Sequence, residues 1–268
     1  MLCNDGNMAK RWSIQKEKII TRELKLLYVT QNKSLKEVSQ LLKMSEAGVY
    51  GRLIRCGIPI NRAGKPGFNN SYNGLIDIPP YSERLAEFIG ILLGDGSLNY
   101  YQVTVTLGTK ELNYALFISS LMDEIFDVQS RILISRRTNY RVVYFGSRKI
   151  VLWLLDMGLA YNKVVAQVAI PSWCFNNIDY MKAALRGLID TDGSIYALRS
   201  GAQISLTNRS IPLLKGAQAM LQYLGYSPSR ISCYKIYLTK KADLLRYFNE
   251  IGFHNQKHIQ RFSTFVKT

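Results

Sequence analysis

An internal duplication constrains the fold of this 268-residue chain more than any single motif does. Residues 88–98 read FIGILLGDGSL and residues 185–195 read LRGLIDTDGSI, so an apolar helix ending in Asp-Gly-Ser occurs twice. Alternating strands, a second helix, two further strands and a closing helix follow each copy. We therefore predict an α+β fold of two pseudo-symmetric αββαββα halves. The strands are predicted at 102–107, 128–135, 140–145, 203–206, 230–233 and 235–238.

Small residues recur four positions apart in both repeated helices. Gly90 and Gly94 occupy these positions in the first helix, and Gly187 and Thr191 occupy them in the second. Residues four apart share a helix face, and small ones let two helix backbones approach closely. We expect the two helices to pack through these faces and to form the seam between the halves.

Each repeated helix ends in an aspartate, Asp95 or Asp192, before a glycine, Gly96 or Gly193, that we expect in the left-handed conformation. The two carboxylates should therefore meet at one end of the seam. This placement is unfavourable, because each opposes a helix dipole and each raises the pKa of the other. A divalent cation would reverse the penalty, and oxygen ligands favour Mg²⁺, with Mn²⁺ or Ca²⁺ in the same sites. The predicted metal ligands, carboxylates and backbone carbonyls, are Asp95, Asp192, Gly94 and Thr191.

Charge is unevenly distributed along the chain. It carries 35 Lys and Arg against 19 Asp and Glu, a formal charge of +16, and only two histidines. Residues 1–80 contribute +7, residues 81–180 contribute zero and residues 181–268 contribute +9. This surplus points to a polyanionic partner, most simply nucleic acid. His254 and His258 lie four apart without a third ligand in the sequence, so we expect a basic helix end near phosphate rather than a metal site.

Four regions are predicted along the chain. They are a helical DNA-binding unit at 1–60, a Gly-, Pro- and Asn-rich linker at 61–80, and two halves at 81–170 and 171–268.

The first region has the spacing of a helix-turn-helix. Ser34 and Glu37 form a capping-box pattern before one helix, and Ser45 begins the next. The second helix would present Tyr50 and Arg52 to a DNA groove. The residues expected to pack between the helices are Val38, Leu41, Leu42, Val49 and Leu53.

The paired motifs resemble the LAGLIDADG family of homing endonucleases in its single-chain, two-motif form. LRGLIDTDG at 185–193 is close to the sequence that names the family, and FIGILLGDG at 88–96 is a variant with Gly before the acid. The resemblance covers about residues 81–268. It implies a saddle of two antiparallel sheets that straddles duplex DNA. It also implies that Asp95 and Asp192 bind divalent metal and direct hydrolysis of one phosphodiester in each strand of a long, asymmetric site.

The basic residues of the active site do not carry over directly from the family. Many members place a Gln or Lys at the end of the second strand, where this chain has Leu-Gly and Leu-Thr. The candidates for polarising the phosphate are Lys110, Arg209 and Lys235, although the first two could equally be solvated helix starts.

Polar residues on the sheet faces opposite the core suit base edges and thymine methyl groups, although an exposed polar face is also normal for an antiparallel sheet. With the two residues of the N-terminal unit, the candidate DNA-binding residues are Gln102, Thr104, Thr106, Arg131, Ser135, Arg136, Arg137, Arg141, Tyr144, Gln203, Ser205, Tyr237, Tyr50 and Arg52.

Three functions stay open: an endonuclease that cuts double-stranded DNA, a transcription regulator on the same scaffold, and a maturase that binds intron RNA. The regulator is disfavoured because such proteins tend to lose the motif acids, and both are present here. An intein endonuclease is disfavoured because the chain neither begins with a splicing nucleophile nor ends in His-Asn. Four scattered cysteines and the lack of a signal or spanning segment predict a soluble, intracellular monomer that is neither secreted nor bound to a membrane.

Overall fold

The computed structural model describes residues 14–31, 33–58, 76–135, 139–198 and 201–266. The chain divides into two compact units, Met1–Asn69 and Asn70–Thr268. Residues 59–75, which include most of the linker predicted at 61–80, lie outside the described residues. Over the described ranges, no helix is both long and apolar enough to cross a membrane.

The described part of the first unit is helical. Helix α1 continues directly into a π-helix, and a short turn joins α2 to α3. The bounds are α1 Ile14–Leu24, the π-helix Lys25–Thr30, α2 Leu35–Leu41 and α3 Glu46–Arg55. The predicted capping box is confirmed: Ser34 Oγ accepts from the Glu37 amide at 3.2 Å, and the Glu37 carboxylate accepts from the Ser34 amide at 2.8 Å. Ser45 caps α3 in the same way, by accepting from the Gly48 amide at 3.1 Å.

A small apolar core holds these helices together. The prediction for Leu41 is wrong, because this side chain is 56% exposed. The inward face of α2 passes through Leu35, Val38 and Leu42, and Leu41 lies beside that face. The buried core residues are Leu24, Tyr28, Leu35, Val38, Val49, Leu53 and Ile58.

The first half of Asn70–Thr268 has the predicted αββαββα order. Its strands form one antiparallel sheet in the order β1-β2-β4-β3. The elements are α4 Glu83–Gly94, β1 Gly96–Leu98, β2 Gln102–Gly108, α5 Leu112–Phe126, β3 Arg131–Ser135, β4 Tyr140–Gly146 and α6 Arg148–Asp156.

Over its described residues, the second half has the same frame with one strand fewer and one α-helix more than the first. Its sheet has the order β5-β6-β7. The strand predicted at 230–233 is wrong, because Cys233 and Tyr234 adopt φ values of 48° and 61° and turn the chain tightly before β7. The elements are α7 Ile178–Asp192, β5 Gly193–Leu198, β6 Gly201–Thr207, α8 Ile211–Tyr223, β7 Lys235–Leu238, α9 Lys241–Glu250 and α10 Gln256–Val266.

Both halves share one continuous hydrophobic core, with α4 and α7 packed against each other at its centre. Helix α4 is buried at every position from Leu85 to Leu93. An all-round apolar helix belongs in such an interior. The two acidic residues buried with this pair, Glu87 and Asp190, are therefore exceptional and must be compensated locally.

Candidate active site and nucleic-acid interface

The seam between α4 and α7 depends on glycine. A Cβ added to Gly90 would lie 2.2 Å from the Ala184 carbonyl oxygen, and one added to Gly187 would lie 2.2 Å from the Glu87 carbonyl oxygen. A Cβ at Gly94 would lie 2.0 Å from Thr191 Oγ1. These reciprocal contacts confirm the predicted close approach of the two helices.

The glycines that follow the two aspartates act differently from the prediction. Neither Gly96 nor Gly193 has positive φ; Gly193 has φ −85° and begins β5. A Cβ at Gly96 would lie 2.5 Å from Leu92 Cα, and one at Gly193 would lie 2.2 Å from the Ile189 carbonyl oxygen. Glycine is therefore needed because each strand starts directly against the last turn of its own helix.

The seam brings Asp95 and Asp192 to the same end, where both are half-buried. Burial, the neighbouring Asp192 and Glu111 raise the pKa of Asp95 to about 6. Burial also raises the pKa of Asp192, against the opposing effects of Asn208 and Lys163. Asn208 Nδ2 donates to Asp192 Oδ2 at 2.6 Å, a contact that the sequence did not reveal.

Lys163, in the segment that connects the halves, is a second residue that sequence reasoning missed. Its Nζ donates to the carbonyl oxygens of Leu92 and Leu93 at 2.9 Å each and of Gly94 at 2.5 Å. A cation at a helix C-terminus stabilises the helix dipole. Burial lowers the pKa of Lys163, whereas Asp192 and Asp95 raise it.

The repeat contained a signal for this lysine. Gly158 and Gly252 end α6 and α9 with φ of 101° and 71°, and a lysine follows each glycine five residues later, at Lys163 and Lys257. Lys257 Nζ lies 3.0 Å from Glu111 Oε1. The internal duplication therefore extends to this pair of lysines.

The basic residues proposed from the sequence lie around this centre. Lys110 is exposed in the turn after β2 and lines a cavity of about 450 Å³ with Lys257 and Arg261. Arg209 is exposed, with its guanidinium carbon 5.7 Å from the Tyr234 ring centroid. Lys235 is half-buried in a cavity of about 470 Å³ on the second sheet, together with Ser194, Tyr196, Ser205, Thr207 and Arg261.

The donor set at the seam fits a hard divalent cation in part. The two half-buried carboxylates offer oxygen ligands, and a cation would relieve their mutual repulsion. The Gly94 carbonyl already accepts from Lys163, so this ammonium competes for one of the predicted ligands. Thr191 Oγ1 donates to the carbonyls of Gly187 and Leu188 at 2.9 and 3.1 Å, which commits its side chain to the helix seam.

The side chains of β2 alternate between the core and the opposite face as predicted, but not all of those on the opposite face are exposed. Val103 and Val105 are buried in the core, and Thr106 is exposed on the opposite face. Thr104 shares that face yet is 8% exposed, because its hydroxyl hydrogen-bonds with Ser97 at 2.6 Å across the sheet. Gln102 is half-buried at the start of the strand.

The second sheet buries its middle strand in the same way. Gln203 is 7% exposed and donates through Nε2 to the Tyr196 hydroxyl, and Ser205 is 4% exposed between Ser194 and Tyr237. Expected exposure is therefore wrong for Thr104, Gln203 and Ser205. Side chains of the flanking strands cover a central strand, which residue alternation alone does not reveal.

Arg141 lies on the wrong face for the predicted interface. It shares a face of β4 with the buried Val143 and Phe145, and its Nε donates to the Thr109 carbonyl at 2.9 Å. Arg131 and the half-buried Tyr144 pair with each other on the opposite face, where Arg131 is exposed. The side chain of Ser135 and residues Arg136 and Arg137 lie outside the described part of the chain.

In the helical unit, the two predicted DNA contacts differ. Tyr50 is 36% exposed on α3. Arg52 is 12% exposed and its Nη1 lies 2.8 Å from Glu17 Oε1, so it joins α3 to α1. Arg52 is therefore engaged within the helical unit, whereas the Tyr50 side chain is exposed.

A second polar cluster lies within the seam. Glu87, Asp190 and His254 each offer an oxygen or nitrogen atom that could bind a metal ion, and these three atoms lie within 4.8 Å of one another. The Glu87 carboxylate forms an ion pair with Arg186 at 3.0 Å and contacts the His254 ring. Burial raises the pKa of Asp190 to about 8.

His258 is fully buried, and burial lowers its pKa to about 4, so the expectation of a basic helix end is wrong for this residue.

Parts of this chain match known proteins. Residues 179–252 match a family model described as a LAGLIDADG-like domain. The chain is 26% identical over 212 residues to a DNA polymerase of Thermococcus sp. (strain GE8). The aligned region is 76% of this chain and 12% of the polymerase. It is 24% identical over 197 residues to a replication factor C small subunit of Methanocaldococcus jannaschii, covering 70% of this chain and 10% of that protein.

The chain spans about a tenth of the length of these curated relatives. Among solved structures, it is similar to the homing endonuclease I-DmoI in complex with DNA and Mn, with a TM-score of 0.47, 18% identity, and coverage of 63% of this chain and 96% of that chain. The N-terminal LAGLIDADG domain of DUF199/WhiA is similar with a TM-score of 0.47, 15% identity, and coverage of 66% and 87%.

Proposed function

We propose that this protein is a metal-dependent endonuclease that hydrolyses one phosphodiester in each strand of a long, asymmetric DNA site, as a homing endonuclease does. The observation that carries the proposal is the pair of half-buried aspartates, Asp95 and Asp192, at one end of the helix seam with Lys163 beside them. A stable fold has no need of two like charges in this position, so a ligand of opposite charge accounts for them.

The reaction forms a bond between a water oxygen and phosphorus, breaks the bond to the leaving oxygen, and returns a proton to that oxygen. A bound Mg²⁺, Mn²⁺ or Ca²⁺ would supply charge neutralisation, and Mg²⁺ or Mn²⁺ would also lower the pKa of the attacking water. Asp95 and Asp192 would hold the cation through carboxylate oxygens, while Asn208 keeps the Asp192 carboxylate oriented. Lys163 would attract the phosphate towards the acids.

The two sheets would grip the duplex through the faces opposite the core. The exposed residues Thr106 and Arg131 and the half-buried Tyr144, Lys235 and Tyr237 lie on these faces. Thr104, Gln203 and Ser205 would reach base edges only after neighbouring side chains move. Lys110 and Arg209 would contact the DNA backbone from exposed turns.

The helical unit would add groove contacts through α3. A Cβ at Gly51 would meet no atom within 4 Å, so packing within the protein does not explain this glycine. Gly51 costs about 1 kcal/mol relative to Ala in a helix interior, and close approach of DNA backbone beside Tyr50 would account for it. Tyr50→Ala should therefore weaken DNA binding while leaving cleavage at saturating protein unchanged.

Cleavage of a plasmid that carries the uninterrupted form of the locus around this reading frame tests the proposal. With Mg²⁺, the wild type should linearise the plasmid, and Asp95→Asn with Asp192→Asn should bind it without detectable cleavage. Glu124→Gln, which removes an exposed ion pair with Arg84, serves as the control and should cut normally. If wild type and double variant bind equally and neither cuts, the regulator function is favoured; splicing of a flanking intron would instead favour the maturase.

A further inference from the structure

A row of apolar groups crosses the first sheet on the face opposite the core. Val142 of β4 pairs with Thr106 of β2 on one side and with Leu133 of β3 on the other. Residues directly opposite each other in an antiparallel sheet share a face, with Cβ atoms about 4.5–5.5 Å apart. The chain neighbours Val105 and Val143 are buried in the core, so the row lies on the other face. We call Thr106, Val142 and Leu133 the methyl row.

The methyl row is open to solvent. Leu133 is 56% exposed, Thr106 is exposed and Val142 is half-buried. A single exposed leucine is ordinary on a protein surface, but three adjacent side chains that carry methyl groups form a continuous patch. The patch includes β3, an edge strand of its sheet, and proteins usually place charged residues on such edges to prevent unwanted strand pairing. A partner that offers apolar groups of its own would account for the row.

The surroundings of the methyl row fit a nucleic acid. Arg131 is exposed two residues before Leu133 on the same face of β3. The Thr106 amide donates to the Asp95 carbonyl at 3.1 Å, so the row begins beside the aspartate pair. Neighbouring strands lie about 4.8 Å apart, so the row extends over about 10 Å, the length of about three base pairs of B-DNA. The methyl group that bases present in the major groove is that of thymine.

The matching position of the second sheet is charged. Aligned on the glycines that begin β1 and β5, Thr207 of the second sheet matches Thr106. Thr207 pairs with Lys235, so Lys235 takes the place of Val142. The tight turn before β7 leaves Leu133 without a counterpart. Over the described residues, the second sheet thus presents an ammonium group where the first presents methyl groups.

We propose that Leu133 and Val142, with the methyl group of Thr106, are specificity-determining residues that contact thymine methyl groups in the half-site bound by the first sheet. This inference rests on the proposed endonuclease function and specifies its substrate. The half-site of the first sheet contains thymine at the base pairs that the methyl row covers. The half-site of the second sheet is read there by a hydrogen-bond donor, Lys235, which suits guanine.

Replacement of thymine by uracil tests the proposal, because it removes only the methyl group of the base. Duplexes of the uninterrupted locus around this reading frame are made with deoxyuridine in one half-site, in the other, or in neither. Dissociation constants are measured with Ca²⁺, and cleavage is assayed separately with Mg²⁺. In one half-site, uracil should weaken binding about fourfold for each methyl group that the row contacts, and in the other it should change binding less than about twofold.

Leu133→Asn identifies the side chain that makes the contact. It replaces two methyl groups by an amide of similar size, so it should weaken binding to the thymine duplex and lower the cost of uracil in the same half-site by about fourfold. Leu116→Asn is the matched control. Leu116 is 52% exposed on α5, which packs on the core side of the same sheet, and this variant should behave as the wild type does. Thermal melting confirms that both variants are folded.

Four outcomes would overturn the inference while leaving the endonuclease function intact. These are equal costs of uracil in the two half-sites, no cost in either, and a cost that folded Leu133→Asn leaves unchanged. The fourth is a dimeric wild type that Leu133→Asn converts to a monomer in sedimentation, which would assign the methyl row to a second copy of the chain. Binding without cleavage would overturn the proposed nuclease while the uracil series still decides how bases are read, and a wild type that does not bind the locus would overturn both.

Discussion

The two halves of Asn70–Thr268 share the helix seam but diverge towards their edges. Gly90 and Gly187 make the same backbone contact in both directions, whereas β3 of the first sheet has only the turn at 233–234 as its counterpart in the second half. The second half adds α10, which contacts β5 and β6 and begins beside Glu111 of the first half. The comparison indicates that the duplication is preserved where backbones touch and relaxed where side chains can be exchanged.

The same comparison applies to buried charge. Glu87 is buried in α4 and holds Arg186 and His254 of the second half, while the matching position in α7 is Ala184. Asp190 in α7 accepts from the amide of His254 at 2.7 Å, while the matching position in α4 is Leu93. A polar network thus lies on one side only of a pseudo-symmetric seam, and it ties the C-terminal segment to both halves.

Substitution of the seam glycines should have the largest effect on stability. Gly90→Ala and Gly187→Ala each place a methyl group 2.2 Å from a backbone oxygen, so we expect a loss of at least about 3 kcal/mol in the free energy of unfolding, measured with urea. Gly216 lies in α8, and a Cβ there would meet Ile170 Cδ1 at an ordinary 3.4 Å, so Gly216→Ala should change stability by less than about 1 kcal/mol. Similar stability of all three variants would mean that the helices do not approach so closely.

Removal of the buried charge on Glu87 should have the next largest effect. Glu87→Gln leaves Arg186 half-buried without its ionic partner, so a loss of about 3 kcal/mol is expected. Glu124→Gln breaks an exposed pair and should lose less than about 1 kcal/mol. Urea unfolding of both variants measures the two losses in the free energy of unfolding. Equal losses would show that the buried pair stabilises the protein no more than the exposed pair does.

Lys163 and Lys257 should contribute unequally to the stability of the protein, because their partners differ. Lys163→Met leaves three carbonyls and two aspartates without their cation, and we expect a loss of about 2–3 kcal/mol in metal-free protein. Lys257→Met removes a partly exposed ion pair and should lose less than about 1 kcal/mol. Added Mg²⁺ should recover more of the melting temperature in Lys163→Met than in the wild type; equal recovery would argue against competition for the same position.

The buried His258 should make the folded state sensitive to acid. Burial lowers its pKa to about 4 from an ordinary value of 6.5, so the unfolded chain binds the proton first. Its contribution to stability is therefore present above pH 6.5 and is lost as the pH falls towards 4, on the order of 3 kcal/mol in total. His258→Phe should reduce the loss in this window when unfolding is measured at pH 7, 6, 5 and 4; an unchanged slope would assign the sensitivity to other groups.

Repetition and periodicity were sufficient to predict the frame of the protein. The αββαββα order of the first half, the glycine faces of α4 and α7, and the capping box at Ser34 all follow from local spacing. The strand predicted at 230–233 is a turn, because Cys233 and Tyr234 have positive φ. Residues other than glycine give little sign of that conformation in the sequence. The face of Arg141 followed from strand register, which depends on the partner strand.

The sequence by itself determined which acids meet, because two helices that pack through small residues must bring their last residues together. Only the tertiary structure decided which cations join Asp95 and Asp192. Lys163 is 68 residues from Asp95 in sequence and reaches α4 through the connecting segment, and Lys257 reaches Glu111 across the seam. Electrostatic interaction depends on distance in space and on burial, and neither quantity can be obtained from spacing along the chain.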